Sequence, residues 1–151
     1  SDHKETNDVV RSKASSALAS NLIAIICIGE TLKQRDAGNT NNVIIEQLFA
    51  SMPSHASFTN TVIAYEPVWA IGTGLTPKLK DIQNIHSIIR EKLGEIFSST
   101  NADKARIIYG GSVTPKNALE LLNLKDVDGA LVGGASLNWK DFWAIAECCP
   151  T

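Results

Sequence analysis

Four short apolar segments of this sequence each run into residues suited to chemistry: Gly29-Glu30, Glu66-Pro67, Gly110-Gly111-Ser112 and Gly133-Gly134. A carboxylate at the end of a buried strand is costly unless it is paired or at work. Glu66 is therefore either half of an ion pair with a lysine on a neighbouring strand, or a working residue. Glycine lets the backbone approach a ligand closely, and amide N–H groups near a helix start favour an anion. One glycine pair reads equally well as an ordinary tight turn. Two such pairs after successive strands, with a carboxylate nearby, point to a phosphate cradle. Beyond Glu66 runs Val68-Trp69-Ala70-Ile71-Gly72-Thr73-Gly74, apolar at first and ending in small residues. That composition suits a lid that closes over a ligand and excludes water.

The other polar and sulfur-bearing residues read more plainly. Glu30 is expected to make a structural ion pair with Arg35, and Cys27 to be a small core residue beside the site. His3, His55 and His86 lie away from the strand ends, with His86 inside a long helical pattern as a packed or surface residue. The cysteines are Cys27 and the adjacent Cys148 and Cys149. Without CxxC spacing they imply neither a zinc site nor a disulfide framework, which fits a reduced, cytoplasmic chain. No metal and no cofactor is implied.

Elements must carry these residues to one place. The 151 residues are 44% hydrophobic and 20% charged, with a formal charge of -2, enough for a single domain, 1–151, with a core of its own. No basic run suggests nucleic acid or an anionic membrane, and the longest apolar run, Leu22 to Ile28, is too short to span a bilayer. The sequence opens without methionine in a polar stretch, Ser1 to Asp8, which reads as a processed terminus or as the middle of something larger.

Strands are predicted at Ile23–Ile28, Thr61–Tyr65, Arg106–Tyr109 and Ala130–Val132. Each is continuously apolar, as in parallel strands covered on both faces. Between them, Ile82, Ile85, Ile89, Leu93 and Ile96 form one helical stripe. Val10, Ala14, Ala17 and Leu18 share a face before the first strand, and Ile44, Ile45, Leu48 and Phe49 share one after it. Thr114-Pro115 reads as a helix start, and Asn138 as the cap of a last helix whose Trp139 and Trp143 pack inward. The order is a helix followed by four strand–helix units, an α/β chain with a parallel sheet. A doubly wound sheet and a (β/α)8 barrel both satisfy that pattern, and four strands alone do not close a barrel.

The motifs narrow this choice. Ala64-Tyr65-Glu66-Pro67-Val68-Trp69-Ala70-Ile71-Gly72-Thr73-Gly74 resembles the sixth strand and mobile lid of the triosephosphate isomerase family. Tyr109-Gly110-Gly111-Ser112-Val113 resembles its seventh strand and phosphate loop. Asp126 to Leu137 resembles its eighth, and Cys27-Ile28-Gly29-Glu30 the end of its fifth. The resemblance covers the whole chain in order, and implies the C-terminal half of a TIM barrel with about four of its eight units. It implies Glu66 as the base that moves a proton between adjacent carbons of a triose phosphate, interconverting dihydroxyacetone phosphate and glyceraldehyde 3-phosphate in glycolysis and gluconeogenesis. The family is itself the standard example of a glutamate base working with a neutral histidine and a closing loop.

It further implies that Gly72, Ser112, Gly133 and Gly134 hold the phosphate through backbone amides. Trp69, Ala70, Ile71 and Thr73 belong to the lid, with Trp69 at its hinge and Tyr109 and Ser112 as its latch. The small-molecule partner is a triose phosphate, and the complete protein is a homodimer. The family's first-strand asparagine and lysine, its fourth-strand histidine and the glutamate after it have no counterpart here. At the far hinge Leu75-Thr76-Pro77 replaces the usual lysine-threonine-alanine. An isomerase fragment, inactive alone, is therefore expected. The alternative is a non-catalytic phosphate-binding half barrel or a decayed gene product.

Overall fold

A computed structural model describes residues 5–71 and 75–150 of the chain. Four parallel strands stand in sequence order: β1 (Ala24–Ile28), β2 (Thr61–Tyr65), β3 (Arg106–Tyr109) and β4 (Gly129–Ala130). β2 and β3 fall where the apolar runs place them. The fourth strand is shorter and earlier than Ala130–Val132, because only Gly129 and Ala130 find partners, opposite Ile108 and Tyr109.

Helices connect the strands. They are α1 (Asn7–Ala19), α2 (Leu32–Asp36), α3 (Thr40–Ser51), α4 (Leu79–Phe97), α5 (Ser99–Ala102), α6 (Ala118–Leu122) and α7 (Trp139–Ala146). Thr6 caps α1 by accepting from the Val9 amide. Thr31 and Gln34 form a reciprocal capping box on α2, which the apolar pattern gave no hint of. Asn138 caps α7 as expected. Thr114 does not cap α6 with its side chain: its hydroxyl donates to Asn117 Oδ1, and the helix begins only at Ala118.

The core lies between the sheet and the helices. Ile26, Ile28, Ile63, Tyr65, Ile107 and Tyr109 point from the strands toward Ala14, Leu18, Ile44, Leu48 and the α4 stripe of Ile82, Ile85, Ile89 and Leu93. Three expectations of burial fail. Phe49 is largely exposed, since its face of α3 turns outward. Trp139 and Trp143 are 73% and 61% exposed, so they do not pack inward. And while β2 is buried on both faces, β1 alternates, with Ile25 half exposed and Cys27 exposed. The β1 run is apolar on both faces, yet only its helix-facing side is covered among the described residues.

Candidate functional site

Register brings the strand ends together. Cys27 pairs with Ala64, and Ile28 with Tyr65 opposite Tyr109. Glu66, Gly110 and Leu131 follow directly and continue the ladder: the Glu66 amide donates to Ile28 O at 2.8 Å, Gly110 to Tyr65 O at 2.8 Å and Leu131 to Tyr109 O at 2.9 Å. The sequence thus delivers its carboxylate and both glycine pairs to one edge of one sheet. They line a cleft of about 540 Å³ with Glu66, Ile71, Ser112, Gly133 and Gly134 on its walls.

Glu66 is half-buried and makes no ion pair among the described residues, so the lysine-pairing alternative does not hold. Burial pushes its carboxyl up from the usual range, against a smaller downward pull from a hydrogen bond donated by Cys27. Cys27 is therefore no core residue. It lies on the sheet face that the helices leave open, in contact with the candidate base, and its thiol is pushed up to about 11 by burial and then by the Glu66 charge and hydrogen bond. Gly110 makes room for this carboxylate: a Cβ there would stand 2.4 Å from Glu66 Cγ and 2.8 Å from Oε1.

Glu30, by contrast, is saturated. It is fully buried and accepts from Tyr65 Oη at 3.2–3.3 Å and from Trp69 Nε1 at 2.9 Å. Arg35 stands 3.5 Å away, as expected, and stacks its guanidinium 4.7 Å over the Trp69 ring while pairing with Asp81. The indole is thus held on both its edge and its face. A short 3₁₀ turn, Val68–Ala70, carries Trp69 away from Glu66, with Ala70 buried and Ile71 half exposed. Gly72 and Thr73 lie outside the described residues.

Among the described residues, the amides of Ser112, Gly133 and Gly134 donate to no protein acceptor. Gly133 and Gly134 are exposed and bordered by open space where a side chain would be. The Ser136 amide and hydroxyl both donate to Gly133 O, which closes the turn beneath these amides. Asn117 does the same for the other loop, donating to Ser112 O at 3.0 Å and accepting from the Thr114 amide at 2.8 Å. Free N–H groups on two braced turns are what an anion requires.

Tyr109 is fully buried. Its hydroxyl lies against the Gly111 backbone, so close that a Cβ there would meet it at 2.1 Å, and it has no protein partner. Its ring packs with Tyr65 and His86, centroids 6.3 and 6.4 Å away. His86 is a packed histidine: Nδ1 donates to the Asp126 carbonyl at 3.0 Å, and burial lowers its pKa to about 4. Arg90 fastens the same region by pairing with Asp126 at 2.8 Å and Asp128 at 2.6 Å. Sequence reasoning did not single out this network, since His86, Arg90, Asp126 and Asp128 come from separate parts of the chain and carry no local spacing signal.

Known proteins share this sequence pattern and fold. The model for the family described as triosephosphate isomerase matches residues 1–149. The triosephosphate isomerases of Rhodopseudomonas palustris (strain BisA53) and Bradyrhizobium diazoefficiens are 54% and 55% identical to this chain over 149 residues. The match takes in 99% of this chain but 58% and 59% of those relatives. The crystal structure of triosephosphate isomerase from Bartonella henselae superimposes with a TM-score of 0.89 at 40% identity, over 97% of this chain and 58% of that one. The chain therefore spans a little under three-fifths of the proteins it matches.

Proposed function

From the premise that the chain belongs to the triosephosphate isomerase family, we propose that it contributes the base and the phosphate site of a triose-phosphate isomerase. The reaction interconverts dihydroxyacetone phosphate and glyceraldehyde 3-phosphate. Glu66 removes a proton from the carbon beside the carbonyl and returns it to the neighbouring carbon. The observation that carries this reading is the state of Glu66: at a strand end, half-buried, raised in pKa and, among the described residues, without an ionic partner. A base of that kind binds a proton more tightly than an exposed carboxylate, and the absence of a side chain at Gly110 gives it its place.

The unpaired amides of Ser112, Gly133 and Gly134 would take the phosphate oxygens and fix the carbon skeleton within reach of Glu66. The family pattern adds a further amide from Gly72. Trp69, Ala70, Ile71 and Thr73 would form the lid, and Tyr109 with Ser112 its latch. Closure excludes water and protects the enediolate phosphate from eliminating its phosphate.

The donors that stabilise the developing oxyanion in the family, a lysine and a histidine, correspond to no residue of this chain. One oxyanion donor commonly contributes about 10²–10³ in rate, so the chain alone is expected to show no turnover above a Glu66→Gln control. Mixed with the N-terminal portion of a family relative, it should regain activity that Glu66→Gln abolishes. Substantial turnover by the chain alone would overturn this division of labour. Restored activity indifferent to Glu66→Gln would overturn the assignment of the base.

A further inference from the structure

Resting on the reading of Glu66 as the base, we propose that Gln47 is a positioning residue for it, acting through the backbone of Gly29. Gln47 lies on α3, and its side-chain amide makes a two-point contact with one residue. Oε1 accepts from the Gly29 amide at 2.8 Å, and Nε2 donates to the Gly29 carbonyl at 3.2 Å. The partners fix the orientation of the amide, because an N–H needs an acceptor and a C=O needs a donor.

Gly29 follows β1, where successive residues turn their backbone groups to opposite sides of the strand. Its neighbours bond toward β2: Ile28 O accepts from the Glu66 amide at 2.8 Å, and Glu30 O from the Val68 amide at 3.1 Å. The groups of Gly29 face the other way, and Gln47 satisfies both as a neighbouring strand would. Gly29 is in turn wedged against Glu66 itself. A Cβ on it would stand 1.7 Å from the Glu66 carbonyl oxygen and 2.5 Å from its carbon. The Glu66 backbone thus rests on Gly29 from one side, and Gln47 holds Gly29 from the other.

Helix α3 is in this way coupled to the base without touching the cleft, since Gln47 is not among the residues that line it. The same contact steadies Glu30, the next residue, and through it the indole of Trp69. A glutamine placed only to fill space would need neither of its polar atoms. Here both are used, on the donor and the acceptor of a single peptide residue.

The test compares Gln47→Met, which keeps the shape and loses both bonds, with Gln47→Glu, which keeps the acceptor for the Gly29 amide. Two readouts are taken. The first is hydrogen exchange of the Gly29 amide in the 151-residue chain. The second is isomerase kinetics in the mixture with a relative's N-terminal portion, with Glu66→Gln beside it. Gly29 protection should fall about tenfold in Gln47→Met and less in Gln47→Glu. kcat should fall in the same order, by about tenfold in Gln47→Met, with KM within twofold. Unchanged Gly29 protection and kcat in Gln47→Met, in a mixture where Glu66→Gln abolishes activity, would overturn the inference and leave the base assignment standing. Equal loss in the two variants would overturn it as well. Activity that survives Glu66→Gln would remove the premise and the inference with it. Should Gln47→Met not fold, Gln47→Glu alone decides by whether its kcat falls while KM holds.

Discussion

Replacing Gly110 with alanine should disarm Glu66 while leaving the fold intact. The added Cβ would stand 2.4 Å from Glu66 Cγ, 2.8 Å from Oε1 and 3.0 Å from Cδ. Ordinary contact begins near 3.4 Å, so the carboxylate must retreat by about 1 Å. What moves is the end of a side chain rather than backbone, and the cost in stability should stay near 1 kcal/mol. A misplacement of about 1 Å at a reacting group costs about 10²-fold in rate. Gly110→Ala should therefore lose about 10² in kcat in the mixture with a relative's N-terminal portion. In the chain alone the urea midpoint should stay close to wild type. Normal kcat, or lost activity together with lost cooperativity of unfolding, would refute the claim that this glycine is kept for the carboxylate.

Three further outcomes can be measured. The Glu66 carboxyl is raised, so its charge opposes folding at pH values above its folded pKa and not below the unfolded one; Glu66→Gln should stabilise the chain at pH 7 in urea titrations, and the gain should vanish in acid. His86 is buried neutral with its pKa lowered from 6.5 to about 4, so its contribution is intact above pH 6.5 and is lost as pH falls toward 4. That loss is on the order of 3 kcal/mol and should be absent from the stability–pH profile of His86→Gln. Finally, Ile25 and Cys27 on the open face of the edge strand β1, and Leu137, Trp139 and Trp143 around α7, are exposed. Apolar burial stabilises by about 25 cal/mol per Å², so the chain should self-associate with rising concentration, and sedimentation showing a monomer throughout would refute this.

Much of the fold was legible because it is local. The runs at Thr61–Tyr65 and Arg106–Tyr109 are bounded by glycine, proline or charge, and both became strands without adjustment. The α4 stripe at steps of three and four is buried as spaced. The site was legible for a different reason: parallel strands in register deliver whatever follows them to one edge, so Glu66, Ser112, Gly133 and Gly134 could be gathered from chain order alone. What stayed hidden depends on distance and shape. The partners of Glu30 come from positions 35, 65 and 69, of which spacing suggested only Arg35. The exposure of Trp139, Trp143 and Cys27 depends on which faces have a neighbour, and side-chain type is silent on that. Gln47 gave no signal, because one glutamine in an amphipathic helix has no pattern to announce its partner.

Two carboxylates follow two adjacent strands here, and their surroundings decide which one can act as a base. Glu30 is enclosed by a phenol, an indole N–H and a guanidinium, and each fixes its position. Moving it toward the cleft would leave buried donors unpaired, at about 1–3 kcal/mol each. Among the described residues, Glu66 has a thiol for its one side-chain hydrogen-bond donor, and a thiol is a weak donor. Its burial favours the protonated form, and the missing side chain of Gly110 is what lets the carboxylate sit where it does. Under the proposed function the two residues would divide the labour: Glu30 holds Trp69 in place, and Glu66, half-buried and with few donors among the described residues, is the one suited to exchange a proton. Trp69→Phe, which strips Glu30 of its indole N–H, should loosen that hold without bringing Glu30 to the cleft, because its contacts with Tyr65 and Arg35 remain.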